Sequence, residues 1–280
     1  MNPRPRGAHP PAGPEGSGGQ GEQASALQAV MFDMDGLLVD TEPFWFEVES
    51  EVMARLGGTW TPDDQAQLVG GSLSRSIRYL LAKADAQRQN AEGAGRGSGP
   101  SGSGVSLEGA VPPRAGTDAE TVGRWMVEGM VSRIEAGGVR LLPGAAELLA
   151  AVAAEGIPCA LVTSSERTIM DAVLSRLNTG AGGVTFQTTV CGADVSRSKP
   201  HPEPYLLAAA RLGAQPPRCV VLEDAPNGVA SAEAAGCLVI AVPGLVQLAP
   251  RNGRVVVPSL REVSVPLLRD LAASRGLSAH

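Results

Sequence analysis

Four short, continuous apolar runs stand out along the chain: Leu27 to Phe32, Ile157 to Val162, Cys219 to Leu222 and Cys237 to Val242. A strand covered on both faces has no polar side to show, so it reads as an unbroken apolar run rather than an alternating one. Runs of this length separated by helical periodicity predict βαβ units, and hence an α/β fold built on a doubly wound, Rossmann-like parallel sheet. The pattern changes between the first run and the second. There FWFEVESEVMARL, SIRYLLAKA and TVGRWMVEGMVSRI carry helical spacing with no convincing strand, which predicts an inserted helical cap domain. Leu141-Leu142-Pro143-Gly144 then punctuates the chain before the amphipathic AAELLAAVAAEG. The expected division is a core of residues 27–41 and 141–280 with a cap over residues 42–140. No internal repeat is visible.

Two stretches fall outside this pattern. Residues 1–26 hold almost nothing that could be buried, so ordering them would cost backbone entropy without apolar return, and a disordered tail is expected. From about Ala84 to Asp118 the composition turns to Gly and Ser, expected as a flexible insertion within the cap. The part from Gly93 to Gly104 is expected to be dispensable, because loop length carries only a weak logarithmic entropy cost.

Composition narrows the partners. A formal net charge of −6 over 280 residues argues against a nucleic-acid footprint, which needs surplus Lys and Arg. No stretch approaches the roughly 18 apolar residues of a membrane span, and the Pro- and Gly-rich start lacks the apolar centre of a signal peptide. Cys159, Cys191, Cys219 and Cys237 form no C-x-x-C pair and have no His at metal spacing, so they are expected as reduced core residues. A cytoplasmic protein acting on a small soluble molecule, without nucleic acid or membrane, is the expectation.

Candidate chemistry gathers where the apolar runs end. The first stops at Asp33-Met34-Asp35-Gly36, bringing two carboxylates to the C-terminal edge at which open α/β sheets bind ligands. Like charges about 4 Å apart repel by roughly 4 kcal/mol at an effective dielectric near 20, so such a pair needs a cation, a shared proton or solvent between its members. Alone it could be a solvated turn. The second run ends in Thr163-Ser164-Ser165, with hydroxyls and helix-start N–H groups that could hold an anion or merely cap a helix. Lys199 lies between Ser198 and Pro200, in a segment whose prolines restrict the backbone around a cation. The third run reaches Glu223-Asp224, followed by Ala225-Pro226-Asn227-Gly228. Acids, hydroxyls, a lysine and further acids on one edge form the inventory for metal-assisted phosphoryl transfer to a carboxylate nucleophile.

FDMDGLLVDTE, VTSS, SKP and LEDAPNG, in this order, closely resemble the four motifs of the haloacid dehalogenase-like hydrolases. The helical insertion after Asp40-Thr41-Glu42 is similar to the cap of their β-phosphoglucomutase-like subgroup. That resemblance implies an Mg²⁺-dependent phosphatase working through a phospho-aspartate. It makes Asp33 the nucleophile and Asp35 the general acid and base, with the Asp35 main-chain carbonyl on the metal. Thr163 and Lys199 would hold the phosphate, with Ser164 and Asn227 as further candidates for phosphate contact. Asp33, Asp35 and Asp224 would be the metal ligands, and Glu223 would support the metal from one layer further out. Many relatives have Ser where this chain has Ala225, so one hydroxyl contact is expected to be missing.

Within the same resemblance, Asp35 argues against dehalogenation, since the dehalogenases lack that second Asp and need no metal. β-Phosphoglucomutases share all four motifs, so a phosphosugar mutase is the alternative within the family. Where they carry a His in the first cap helix this chain has Trp45, and where they carry an Arg after the cap's Gly-x-Ser it has Leu73. DTEPFW and the EVMARLG that follows look like the cap start of hexitol and deoxyglucose phosphate phosphatases, which implies a sugar or sugar-alcohol phosphate as substrate. Trp45 is nonetheless expected mainly in the core, and Arg75 and Arg78 on solvated helix faces. A non-catalytic signalling protein of the receiver type also unites acids, Thr or Ser and Lys on such a sheet, but it carries its phosphorylated Asp on a later strand and has no cap. A degenerate phosphate-binding relative would have lost one of Asp33, Asp35, Lys199 and Asp224, and all four are present.

Overall fold

The computed structural model describes residues 27–95, 117–178, 185–244, 246–251 and 253–274. The tail over 1–26 and most of the Gly/Ser-rich stretch lie outside these residues. Among the described residues six strands, β1 (Ala29–Phe32), β2 (Cys159–Val162), β3 (Thr188–Val190), β4 (Cys219–Glu223), β5 (Leu238–Ala241) and β6 (Arg254–Val256), form one parallel sheet in the order β3-β2-β1-β4-β5-β6. The order reverses beside β1, so the ends of β1, β2 and β4 adjoin at the switch point where such sheets open a crevice.

The four continuous apolar runs supply β1, β2, β4 and β5, all buried along their length. Alternate side chains divide between two cores, as the two-residue period of a strand requires. Val30, Phe32, Leu161, Val220 and Leu222 face one side, and Ala29, Met31, Ala160, Val162 and Val221 the other. The four cysteines are buried. Strands β3 and β6 are additions to the sequence-based picture. Each has three residues at a sheet edge, all with partly exposed side chains except the buried Val190, too short and too mixed to form an apolar run.

Among the described residues four helices follow β1 before the chain returns to the sheet: α1 (Glu42–Arg55), α2 (Pro62–Ala66), α3 (Leu73–Gly95) and α4 (Ala119–Arg133). Their apolar faces, including Val48, Val52, Met53, Leu80, Val122, Met126 and Met130, join the first core without a break. The chain segments leading into and out of this unit are tied together, the Asp40 N–H donating to Arg140 O at 3.1 Å and the Leu142 N–H to Leu38 O at 2.8 Å. The flexible insertion expected from Ala84 is corrected over its first part, because α3 continues to Gly95 and Ala84 is buried. Ala, Gln, Arg and Glu dominate residues 84–92, and these are good helix formers, so helical propensity prevails until Gly accumulates.

The rest of the sheet is wrapped by α5 (Ala145–Ala154), α6 (Arg167–Asn178), α7 (Glu203–Leu212), α8 (Pro226–Ala234) and α9 (Val265–Ser274). Gly144 opens α5 at φ +94°, where a Cβ would lie 2.4 Å from the Arg261 backbone nitrogen, so both conformation and space call for Gly. Among the described residues no helix is long and apolar enough to cross a membrane.

Candidate active site

Two adjacent strand ends and one loop deliver the charged groups. Asp33 follows β1, Glu223 closes β4, Asp224 comes next, and Lys199 arrives from the loop before α7. All four are buried. One oxygen from each of Asp33, Glu223 and Asp224 lies within 4.8 Å of the others. The Lys199 ammonium donates to Asp33 Oδ1 at 2.5 Å, Glu223 Oε1 at 2.6 Å and the Val162 carbonyl at 2.9 Å, which uses all three of its protons. Burial would lower the Lys199 pKa, but Asp33 and Glu223 more than offset this and hold it above the ordinary range. The Tyr205 hydroxyl donates to Glu223 Oε1 at 2.5 Å, and its ring lies 5.0 Å from the ammonium.

Two glycines make room for this packing. A Cβ on Gly36, which has φ +78°, would fall 2.3 Å from Asp224 Oδ2, and one on Gly228 would fall 1.9 Å from Glu223 Oε1. The Gly residues that end the D-x-D-G and the N-G pairs are therefore demanded by the carboxylates they face.

Three carboxylates against one ammonium leave the cluster with excess negative charge. Burial, then Glu223, push Asp33 up to about 8 against the pull of Lys199, and burial and Asp33 raise Asp224 well above its ordinary value. Asp224 Oδ1 is buried with no hydrogen-bond partner. A hard oxygen donor set with an orphaned carboxylate oxygen fits a divalent cation such as Mg²⁺.

Asp35 is held apart from this cluster. Its Oδ1 accepts from Thr41 Oγ1 at 2.7 Å, and its Oδ2 accepts from Ser165 Oγ at 2.7 Å and Thr163 Oγ1 at 3.2 Å. Thr163 Oγ1 also accepts from the Ser165 N–H at 3.0 Å. The two aspartates of one D-x-D pair thus occupy different environments, one in a cationic and carboxylate cluster and one in a ring of hydroxyls.

A cavity between the sheet edge and the helical unit is lined on one side by Asp33, Asp35, Thr163, Ser164 and Lys199. Ser164 Oγ is buried there without a partner. Asn227 does not line the cavity. It stands at the start of α8 with its Cβ near Gly70 of the cap. Asp224 also lies behind the lining, and the Asp35 carboxylate is not in the acidic cluster. Glu223, expected one layer further out, brings an oxygen as close to the cluster as the aspartates do, while its Oε1 is bound by Lys199 and Tyr205. Ala225 is in close contact with the cap, since a Cβ on Gly70 would lie 2.4 Å from the Ala225 Cβ.

The opposite wall comes from the cap. Glu42, Trp45 and Glu49 sit at i, i+3 and i+7 on α1, one face of the helix, and all three line the cavity with Gln65, Leu73 and Ser76. Trp45 therefore both packs against the core and faces the cavity, beyond the packing role expected for it. Gln65 Nε2 donates to Glu42 O at 2.9 Å and Glu42 Oε2 at 3.0 Å. Burial, then Asp35, push Glu42 up to about 7; burial, then Glu42 and Asp64, push Glu49 up to about 8. Arg75 instead donates to Gln67 O at 2.8 Å, and both Arg75 and Arg78 are exposed.

Sequence reasoning missed Thr41, Ser165 and Tyr205 as supports, and Glu42, Glu49, Gln65 and Ser76 as lining. Thr41 and Ser165 had a signal, being hydroxyl residues directly beside motif positions. Tyr205 had none, since only the packing of α7 against β1, β2 and β3 brings it to Glu223.

A parallel sheet in this order, with a helical unit inserted after the first strand and acids at the ends of β1 and β4, defines a hydrolase class. The chain belongs to the haloacid dehalogenase-like hydrolases, whose family model matches residues 30–242. It is 41% identical over 237 residues to Hexitol phosphatase A of Escherichia coli (strain K12), covering 85% of this chain and 88% of that protein. It is 30% identical over 221 residues to Protein CbbY of Rhodobacter capsulatus, covering 78% of this chain and 86% of that protein. Among solved structures it resembles CbbY from Rhodobacter sphaeroides in complex with phosphate, with a TM-score of 0.69 and 25% identity, covering 87% of this chain and 99% of that one.

Proposed function

We propose that this haloacid dehalogenase-like phosphatase hydrolyses the phosphate monoester of a sugar or sugar alcohol through a phospho-aspartate on Asp33. The observation that carries the reading is the separation of Asp33 from Asp35. Asp33 sits against Lys199 at the cluster, suited to attack phosphorus as a carboxylate. Asp35, positioned by Thr41, Thr163 and Ser165, is suited to move a proton.

In the first half-reaction an Asp33 oxygen forms a bond to phosphorus as the ester bond breaks, and Asp35 gives its proton to the departing sugar oxygen. In the second, Asp35 takes a proton from the water that attacks phosphorus, and the Asp33 carboxylate departs with release of inorganic phosphate. Lys199 keeps its charge beside the transferring group throughout, and Ser164, with its unpartnered hydroxyl, can donate to a phosphate oxygen. Asp33, Asp224 and the Asp35 main-chain carbonyl would hold Mg²⁺, supported by Glu223. When bound, the ion would neutralise charge on the phosphoryl oxygens.

The sugar assignment is supported by the name of the hexitol phosphatase relative and by the cavity wall, where Trp45 and Leu73 offer no charge to a second phosphate. Hydrolysis is favoured over phosphoryl return to a sugar for that reason. Four buried cysteines, none of them in a disulfide among the described residues, fit a reducing cytoplasmic setting.

The test is phosphate release from a panel of phosphorylated metabolites with Mg²⁺, repeated after chelation. Release from hexose or hexitol 6-phosphates that stops with chelation is expected. Selective turnover of non-carbohydrate esters, or net conversion of β-glucose 1-phosphate to glucose 6-phosphate faster than phosphate release, would overturn it.

A further inference from the structure

The cap wall of the cavity is polar but carries no cation. Among the described residues that line the cavity, Lys199 is the single basic side chain, and its three protons are engaged on the opposite wall. The cap contributes Glu42, Glu49, Gln65 and Ser76 instead. Of these, Glu49 is the unusual one. It is 3% exposed on the buried face of α1, and its Oε2 makes no hydrogen bond. Trp60 Nε1 is near enough to weaken the upward push on the Glu49 carboxyl, yet Trp60 Nε1 too lacks a hydrogen bond of proper geometry. Leaving a buried carboxyl oxygen unpaired is costly, and native proteins rarely do so outside functional sites.

We propose that Glu49 is the specificity-determining residue of this phosphatase, recognising a hydroxyl at the uncharged, polyhydroxylated end of the substrate. Three features of the site converge on that ligand chemistry. A carboxyl group pairs with a hydroxyl whether it is ionised, as acceptor, or protonated, as donor and acceptor. Gln65 and Ser76 on the same wall extend the surface for further hydroxyls, and Trp45 supplies the apolar face against which the C–H side of a sugar packs. A second phosphate or a carboxylate at that end would meet Glu42 and Glu49 with no cation beside them. The substrate class is therefore a monophosphate of a neutral polyol, in preference to a bisphosphate or a phosphorylated sugar acid.

This inference rests on the sugar-phosphate reading above, and one experiment separates the two. Steady-state kinetics of the full chain with Mg²⁺ are measured on a hexitol 6-phosphate and on 4-nitrophenyl phosphate, which has no hydroxyls, for the wild type, Glu49→Met and Glu49→Asp. Glu49→Met is expected to raise KM for the hexitol phosphate about 10-fold or more, with kcat little changed and 4-nitrophenyl phosphate turnover unaffected, the size expected for losing one charge-assisted hydrogen bond. Glu49→Asp, which withdraws the carboxyl by one methylene, should raise the same KM about 3-fold, and it decides the matter if the Met variant does not fold. An unchanged ratio between the two substrates in a folded variant, or an equal loss on both, overturns the Glu49 assignment alone. A wild type that turns over 4-nitrophenyl phosphate but no sugar or hexitol phosphate overturns the sugar reading and this inference with it.

Discussion

The two walls of the cavity differ in which polar groups are held and which are left open. Among the described residues the sheet wall leaves only Ser164 Oγ and, behind the lining, Asp224 Oδ1 buried without a partner, while its charged groups at the reacting centre are held. On the sheet wall Lys199 spends every proton on Asp33, Glu223 and Val162, and Asp35 is gripped by Thr41, Ser165 and Thr163. On the cap wall Glu49 Oε2 is left over, and Glu42 is met by Gln65 alone among the described side chains. Groups that perform the same step on every substrate gain from being held rigidly, because misplacement by an ångström is costly in rate. Groups that read the substrate must keep valence free for it. The difference teaches where to expect losses in turnover and where to expect losses in selectivity.

The sharpest way to break this division is Asp33→Asn. The amide keeps the volume but cannot act as an anionic nucleophile, so turnover should fall at least about 10³-fold on every ester, with the melting temperature kept or raised as a buried carboxylate is lost from the cluster. Phosphate release in a folded Asp33→Asn protein near the wild-type rate would contradict the mechanism.

A smaller effect is expected from Gly228→Ala, which acts through Glu223. Its methyl would lie 1.9 Å from Glu223 Oε1, forcing Glu223 aside and loosening Lys199 from Asp33. A fall in kcat of about 10²-fold, shared by sugar phosphates and 4-nitrophenyl phosphate alike, is expected. A change confined to KM for one substrate would show that the sheet wall also selects.

The smallest effect belongs to the cap's internal support. Asp64 accepts from Lys83, Tyr79 and Thr61, tying α2 to α3. Burial would raise its pKa, but these hydrogen bonds hold it down at about 2, against an ordinary 3.8. A depressed carboxyl stabilises the fold above its unfolded pKa, and that contribution disappears as pH falls from about 4 toward 2. Asp64→Asn should cost roughly 1–2 kcal/mol at neutral pH, after allowance for solvent around Lys83, and lower the melting temperature by a few degrees with kcat almost unchanged. The gap between variant and wild type should close as pH drops through that window. A gap that widens instead would remove Asp64 from this role.

Legibility in the sequence followed the same division. Strands β1, β2, β4 and β5 were readable because burial on both faces writes an unbroken apolar run, whereas three-residue β3 and β6 at the sheet edges leave no such trace. Asp33, Asp35, Thr163, Glu223 and Asp224 could be placed on one edge because each stands at or beside a strand end and the parallel topology brings those ends together, whereas Lys199 reaches them from the loop before α7. Asn227 stands at the start of α8 beside Gly70 of the cap, a neighbourhood that a motif position does not reveal. The helix through residues 84–95 was missed because Gly and Ser further on coloured the composition of the whole stretch.

Local order in the chain thus dictated which chemical groups arrive at the sheet edge, since strand ends and tight glycine turns are short-range features. Only the folded arrangement decided how those groups divide their work. Whether Asp35 faces Asp33 or a ring of hydroxyls depends on Thr41, Thr163 and Ser165, and the last two lie 128 and 130 residues away. Which face of α1 closes the cavity depends on how the cap packs onto the first core, a many-body packing outcome that helical periodicity leaves open. For that reason Glu49 looks like any surface glutamate in the sequence and becomes a buried, unpaired acid only in three dimensions.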